Sequence, residues 1–334
     1  MPADYSHGGL SRTELVAHAQ RAIGKGSKSF SAASRLFDRE TREKVWLLYA
    51  WCRACDDLAD AQDMGGELGS QEGAKERVAL LRSRTAQALA GQPTGDPSFD
   101  GLGLVARECG ITQQHCDDVI AGFVLDAADW RPRSEGDMME YCYHVAGAVG
   151  VMMALVMGVS PDDEDTLERA CDLGLAFQLA NIVRDVWEDD AAGRCYLPVE
   201  WLVEADIPPG QHMKPMYRNQ LVELVGEACA IARAHEASAR IGAARLRFRH
   251  RWAVLAATGI YGGIARKVEA AGTHAWDHRA HTTKLEKLGW LAQSWAASLR
   301  PEAEECAEAA GHRRFTLADL RERATRNRTL ILAA

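Results

Sequence analysis

Apolar residues recur at three- and four-residue spacing along almost the whole chain, and runs of strict alternation are absent. The pattern therefore predicts helices and no sheet. Ser11 or Thr13 with Glu14 opens a first helix that stops near Gly24–Gly26, and SKSFSAASRLF begins a second. Asp38–Thr41 caps a third, which carries VWLLYAWCRACDDLAD (Val45–Asp60) and runs into a glycine-rich loop at 62–73. A helix at 74–90 precedes a Pro/Gly/Asp loop at 91–103, and 111–128 reads as a helix with Asp117, Asp118 and Asp126 on solvent faces. Ser134 or Asp137 opens a helix at 138–159, and Ser160-Pro161 starts another with acids in its first turn. That one leads into GLAFQLANIVRDVWEDDAAGRCYLP (Gly174–Pro198). Long helices at 215–242, 251–271 and 284–310 follow a proline-punctuated loop, and the tail from Arg321 is basic, then apolar.

Chemistry concentrates on two of these helices. Gln178, Asn181, Asp185 and Asp189 share one stripe, because residues three and four apart are neighbours on a helix surface. Leu175, Leu179, Ile182, Val183 and Val186 flank it. Unpaired buried charge is expensive, so such a stripe needs a cation. Asp185, Asp189 and Asn181 are an oxygen-only set, which suits Mg²⁺ and not Zn²⁺, and Arg184 and Arg194 supply charge for an anionic ligand. Upstream, Asp56 and Asp60 stand one turn apart, with Asp57 adjacent and Arg53 one turn before Asp57. Two such helices facing each other would set carboxylate clusters across a cleft with Mg²⁺ between them, an arrangement that draws off a diphosphate leaving group. Acids at this spacing are common on solvated faces. Here each set has an arginine within a turn and apolar flanks such as Trp46, Leu47 and Trp51, or Phe177 and Leu179.

Composition narrows the classes. At 334 residues and 47% hydrophobic content the chain can build a large core, and a net charge of −8 argues against a general nucleic-acid binder. Nine scattered cysteines without a signal-peptide pattern point to a reducing cytoplasm. Cys52 and Cys55 form a CxxC with no second pair and no βαβ context, so they read as packed helix cysteines. GLGLVA (Gly101–Ala106) imitates a nucleotide fingerprint, but no strand precedes it. No run reaches the roughly 18 apolar residues of a membrane span, and Val145–Val159 reads as a core helix.

Four motifs in order, GSKSF (Gly26–Phe30), YAWCRACDDLAD (Tyr49–Asp60), YCYHVAGAVG (Tyr141–Gly150) and LGLAFQLANIVRDVWEDDAAGRCYLP (Leu173–Pro198), resemble the squalene/phytoene synthase family, and within it the bacterial phytoene synthases. Tyr261 and Arg279 match more weakly. The first acid run alone also fits a head-to-tail prenyl transferase; the later motifs select the head-to-head family. The resemblance implies an all-α fold of the class I isoprenoid synthase type, a single large helical domain over 1–334 with a central cavity and flexible tails at 1–12 and 321–334. It implies that Asp56, Asp60, Asn181, Asp185 and Asp189 hold Mg²⁺, with Mn²⁺ as a substitute, and that no nicotinamide is needed. Ser27, Lys28, Ser29, Arg53, Gln178, Arg184, Tyr261 and Arg279 would bind diphosphate. Tyr49 and Tyr141 would line the reaction centre, with Tyr143 an alternative to Tyr141, and Arg53 and the four aspartates would share in catalysis. Phe30, Val149, Met153 and Phe177 would wall a dry pocket, with Trp51, Met152 and Leu155 as further candidates.

The implied reaction joins two geranylgeranyl diphosphates head to head (1-1′) through a cyclopropyl diphosphate to phytoene, a step of carotenoid biosynthesis. Squalene or dehydrosqualene synthesis from farnesyl diphosphate is the same-class rival, and a non-catalytic assembly relative is the rival from another class. The greasy substrate implies a cytoplasmic protein in peripheral membrane contact. The tail from Arg321, or His274–His281 with Trp276, would be the contact. Oligomeric state is not legible.

Overall fold

In the computed structural model, which describes residues 9–62, 73–128, 130–299 and 310–333, helix follows helix and no β-strand occurs among the described residues. The elements are α1 (Arg12–Gly26), α2 (Lys28–Ala33), α3 (Arg39–Ala59), α4 (Ala74–Leu89), α5 (Pro97–Cys109), α6 (Gln113–Ala127), α7 (Glu135–Cys142) and α8 (Ala148–Val156). There follow α9 (Glu164–Arg184), α10 (Val186–Ala191), α11 (Val199–Glu204), α12 (Arg218–Ala243), α13 (Phe248–Ala271), α14 (Lys284–Leu299) and α15 (Leu317–Ala333). Their starts are chemically marked. Ser11 and Glu14 form a reciprocal capping box on α1, Asp38 accepts from the Thr41 amide at 3.0 Å, and Ser134 caps α7.

Two compact units can be distinguished, residues 1–128 with 151–163, and residues 129–150 with 164–334. In the first, α3 packs on α1, α4 and α5 around Leu15, Leu47, Leu48, Trp51, Leu81, Phe99 and Leu102, all at most 1% exposed. In the second, α9 is the axis, packed against α12, α13 and the turn that follows α7. That turn, Tyr143–Gly147, is a π-helical insertion closed by the Ala148 amide on the Tyr143 carbonyl. Within this turn and just beyond it the backbone approaches α9 with nothing between. A Cβ on Gly150 would stand 2.2 Å from the Ala170 carbonyl oxygen, and one on Gly174 would stand 2.3 Å from that of Ala146. These two positions tolerate no side chain.

Several sequence expectations change. Residues 97–103 are not loop: Asp96 caps α5, Pro97 takes its first turn, and GLGLVA is buried helix with Gly101 against Leu47. Asp118 is 2% exposed and not solvated; Gln114 Nε2 donates to it at 2.7 Å. The helix expected from 138 starts at Glu135, and the next starts at Glu164, after a turn at Pro161. Residues 321–327, expected as flexible tail, lie inside α15, with Leu320 and Ala324 buried. The glycine-rich stretch 63–72, the first eight residues and 300–309 lie outside the described residues. The run Glu135–Val156 is long and apolar enough to cross a membrane by composition, but 72% of its most apolar window is buried within the protein, as a core helix requires.

The glycine contacts give a stability test with an internal control. Gly150→Ala or Gly174→Ala forces two backbones apart and should cost about 1–3 kcal/mol or more by denaturant unfolding, overriding the helix propensity gained. Gly226→Ala, where nothing lies within 4 Å of the added carbon, should instead stabilise α12 by about 0.5–1 kcal/mol. Equal effects at the three positions would contradict the close contact.

Candidate active site

The first acid run sits where α3 ends. Carboxylates at a helix C-terminus face the negative end of the peptide dipoles and need a cation nearby. Arg53 supplies it: its Nε and Nη2 donate to Asp57 Oδ1 at 3.0 and 2.6 Å, and its Nη2 stands 2.5 Å from Asp56 Oδ2. Asp60 is the capping residue itself, its amide bonded to the Asp56 carbonyl, with Gln62 Nε2 3.4 Å from its carboxylate. One turn before Arg53, Tyr49 lies half-buried against Phe30, ring centres 5.6 Å apart. Burial raises the Tyr49 pKa more than neighbouring Arg53 lowers it, so this phenol keeps its proton. Its oxygen reaches the backbone of Gly26, where a Cβ would come within 2.5 Å. Ser27 Oγ accepts from the Phe30 amide at 3.2 Å and caps α2, while the side chains of Lys28 and Ser29 lie outside the described residues.

Trp51 points elsewhere. It is fully buried and donates to Thr85 at 3.3 Å, which makes it core. Cys52 and Cys55 are free thiols; burial pushes Cys52 up to about 12 and Cys55 well above its ordinary value, so neither is a thiolate at neutral pH.

The second acid run is built on the end of α9. The helix stops at Arg184, Asp185 leaves helical geometry at φ −98° and ψ 15°, and α10 resumes at once. The Asp185 amide still bonds to the Asn181 carbonyl at 2.9 Å and the Asp189 amide to the Asp185 carbonyl at 2.8 Å, so the stripe keeps its register. Two arginines converge on Asp185. Arg184 Nε donates at 2.7 Å, and Arg279 forks onto both oxygens at 2.8 and 2.9 Å. Burial alone would raise the pKa of Asp185, but the hydrogen bonds from the two guanidiniums outweigh it and hold the carboxyl below its usual value. Arg279 also stands 3.7 Å from Glu188, and Asn181 Nδ2 lies 3.4 Å from Gln178 Oε1. Asp189 is half-buried on α10.

A recess of about 550 Å³ opens here, lined by Arg184, Arg279, Glu188 and Trp276 among others, and by Arg218. Arg218 was not singled out by sequence. It lies over the Trp276 ring at 5.4 Å, and its Nη1 is buried without a hydrogen-bond partner among the described residues. Position after a Pro215 turn at the head of α12 was the one available signal. Tyr261 stacks on Phe177 at 4.2 Å, and burial raises its pKa against the pull of Arg184. Tyr141, 5% exposed, is sandwiched between Trp130 and Tyr196 at 5.8 and 4.8 Å, two rings that sequence reading also passed over. Tyr143 packs beside buried His144 instead. Of the apolar candidates, Phe30, Val149, Met153 and Phe177 are half-buried, whereas Met152 and Leu155 are core.

Among the described residues no three His, Cys, Asp or Glu side chains converge as a ready-made metal cage. Mg²⁺ does not ask for one: it keeps waters and takes one or two carboxylates plus substrate phosphates. The carboxylates and the Asn181 amide at the end of α9, and the acids at the end of α3, fit that mode by their oxygen donors, and the guanidiniums beside them suit the phosphates.

Gly26 provides a check on the tyrosine. Gly26→Ala should destabilise the protein by about 1–3 kcal/mol, and Tyr49→Phe, by removing the oxygen in its way, should recover much of that loss in a double-mutant cycle. Additive effects would mean that the phenol does not occupy this place.

Residues 23–286 match the family described as squalene/phytoene synthase. The phytoene synthase of Pseudescherichia vulneris is 44% identical over 284 residues, 84% of this chain and 91% of that protein. The 15-cis-phytoene synthase of Pantoea ananas is 42% identical with the same coverage. Among solved structures, a ligand-bound dehydrosqualene synthase superimposes with a TM-score of 0.75 at 25% identity, over 85% of this chain and 96% of that one. The all-α architecture is therefore that of the class I isoprenoid synthases. By the match of its profile and the extent of these likenesses, the chain belongs to the squalene/phytoene synthase family.

Proposed function

We propose that the chain is a phytoene synthase that condenses two geranylgeranyl diphosphates, and that the acid runs at the ends of α3 and α9 serve its diphosphate release. The observation that carries this reading is the carboxylate–guanidinium pairing at both helix ends, Asp56 and Asp57 with Arg53, and Asp185 with Arg184 and Arg279. At the end of α3 the opposed dipole makes acids costly unless a cation is bound, and at the end of α9 the burial of Asp185 has the same effect. Identity above 40% to named phytoene synthases supports the twenty-carbon substrate.

Ionisation of the first diphosphate breaks its C1–O bond. The allylic cation alkylates the second molecule, which loses a proton and closes a cyclopropane. Loss of the second diphosphate, rearrangement to a 1-1′ bond and loss of a second proton give phytoene. Arg53, Arg184 and Arg279 are forks that can pass from carboxylate to diphosphate as its charge develops. Mg²⁺ would be held by Asp56 and Asp60 on the one acid run and by Asn181, Asp185 and Asp189 on the other, and would supply neutralising charge to the leaving group. Tyr49, with its proton retained, is a donor to departing oxygen. The stacked rings of Trp130, Tyr141 and Tyr196 form a close aromatic wall that leaves little room for water beside a carbocation.

Within His274–His281 the Trp276 ring is buried and donates to the Val183 carbonyl at 2.9 Å, which leaves the exposed polar residues of that stretch and of α15 from Arg321 as the groups that could meet head groups. On α14, however, Leu285, Leu288, Trp295 and Leu299 are 80, 62, 47 and 56% exposed and share one stripe, with Lys284 exposed at its head. This face suits the headgroup boundary of an anionic bilayer, which would deliver substrate and accept hydrocarbon, for a cytoplasmic enzyme held peripherally.

Two experiments follow. Asp56→Asn and Asp185→Asn should each reduce Mg²⁺-dependent diphosphate release by about 10²-fold or more with helical content intact, and the wild type should give a C40 hydrocarbon by chromatography. Turnover near wild type in either variant, or product from farnesyl diphosphate alone, would remove the metal assignment or the substrate assignment respectively. Leu285→Asp with Leu288→Asp should cut co-sedimentation with anionic liposomes severalfold while sparing turnover of detergent-dispersed substrate. Undiminished binding would discard the α14 face.

A further inference from the structure

Beyond residue 286, where the family match ends, the chain returns to the helix that carries Tyr141 and fastens on it through a row of basic and amide side chains. Arg314 Nη1 donates to Glu135 at 2.6 Å, Arg323 Nη2 to Asp137 at 2.8 Å, and Asn327 Nδ2 to Glu140 at 2.7 Å. Glu135, Asp137 and Glu140 all lie on α7, and Glu140 immediately precedes Tyr141. Ahead of α15, Arg313 reaches α9 itself, donating to Glu168 at 2.8 Å and Asp172 at 2.5 Å. Asp172 is 1% exposed and also lies 2.7 Å from His235 Nδ1. The fit is more than ionic. The Arg323 guanidinium lies flat on Gly136, where a Cβ would come within 2.7 Å of Cζ, so α7 has a seat cut for it.

We propose that residues 313–327 are a positioning clasp for Tyr141, with Arg323 and Asn327 as its principal members. The argument runs through Glu140. Its carboxylate is only 6% exposed and 3.8 Å from buried His144, while Arg323 Nε lies 3.6 Å away. A carboxylate so buried holds its place while its cationic and amide partners hold theirs, and it reorganises toward water when they are removed. Any such movement passes along one peptide to Tyr141, whose ring is confined between Trp130 and Tyr196. The π turn begins two residues later, so the clasp grips α7 along its length, from Glu135 to Glu140, just before the helix geometry changes. Exposed ion pairs contribute little, but this one touches a buried acid and a carved glycine.

The inference rests on the reading of Tyr141 as a residue of the reaction centre, and the experiment separates the two. In the full-length protein, Arg323→Ala and Asn327→Ala should lower kcat about tenfold, with KM changed less than twofold, because misplacement by a fraction of an ångström is felt in the transition state. The near-ultraviolet circular dichroism of the stacked Trp130, Tyr141 and Tyr196 should change in parallel, and Arg323→Lys should restore part of both signals. Gly136→Ala, which fills the seat and leaves every charged group in place, should reproduce the defect and keeps the test available if Arg323→Ala folds poorly. Wild-type kcat and aromatic spectrum in Arg323→Ala and Gly136→Ala, beside a crippled Tyr141→Leu, overturn the clasp alone. Full turnover in Tyr141→Leu overturns the reading of Tyr141 and the catalytic purpose of the clasp with it.

Discussion

Backbone-to-backbone contact between α9 and the run from α7 into α8 is the constraint on which the second unit depends. Gly150 and Gly174 remove the side chains that would hold the helices at an ordinary distance, and the carbonyls of Ala170 and Ala146 fill the places of the missing carbons. Contact that close allows almost no sliding, since each helix surface is keyed to the other's main chain. Tyr141 lies less than about two turns before this junction and Asp185 about three turns after it on the partner helix. The relative placing of the aromatic sandwich and the Asp185 cluster is thus inherited from two glycines that touch no ligand.

Electrostatics supplies the complementary constraint. The first acid run stands at the C-terminus of α3, where peptide dipoles repel it, whereas the second straddles the end of α9 and the first turn of α10; both are held by arginine forks. At Asp185 the two guanidiniums hold the carboxyl below its usual value against the cost of burial. An arginine that holds a carboxylate is already desolvated and oriented, so meeting a diphosphate costs it little further ordering. Neighbouring tyrosines are tuned the other way: burial keeps Tyr49 and Tyr261 protonated beside all this charge.

How far the sequence reached depended on the range of the interaction involved. Helix content, the caps at Ser11 and Asp38 and the stripe from Gln178 to Asp189 are local, and periodicity reveals them. Residues 97–103 misled because Gly and Pro weigh toward loop in isolation, whereas here Pro97 sits in a first helical turn and Gly101 is small because Leu47 packs on it. Asp118 followed the same logic in reverse: an acid reads as solvated until tertiary packing buries it beside Gln114. Arg218, Trp130, Tyr196 and the clasp of α15 act across tens to well over a hundred residues of separation, and no local pattern encodes such partners. The α15 acids and bases look like an ordinary polar tail until Asp137 and Glu140 are seen opposite them.

The π turn at Tyr143–Gly147 gives the chain an unusual vulnerability. It inserts one extra residue into an otherwise continuous helix, and its closing bond spans Tyr143 to Ala148. Five residues of this single turn cover nearly the angle and rise of four residues of α-helix, so the extra residue is absorbed locally and the flanking helices keep their register. A change that straightened the turn into regular α-helix without shortening the chain would rotate α7 by about 100° relative to Gly150. Tyr141 and the acids of α7 would turn away together with no residue lost. For this stretch the backbone hydrogen-bond pattern, more than side-chain identity, is what the chain must preserve.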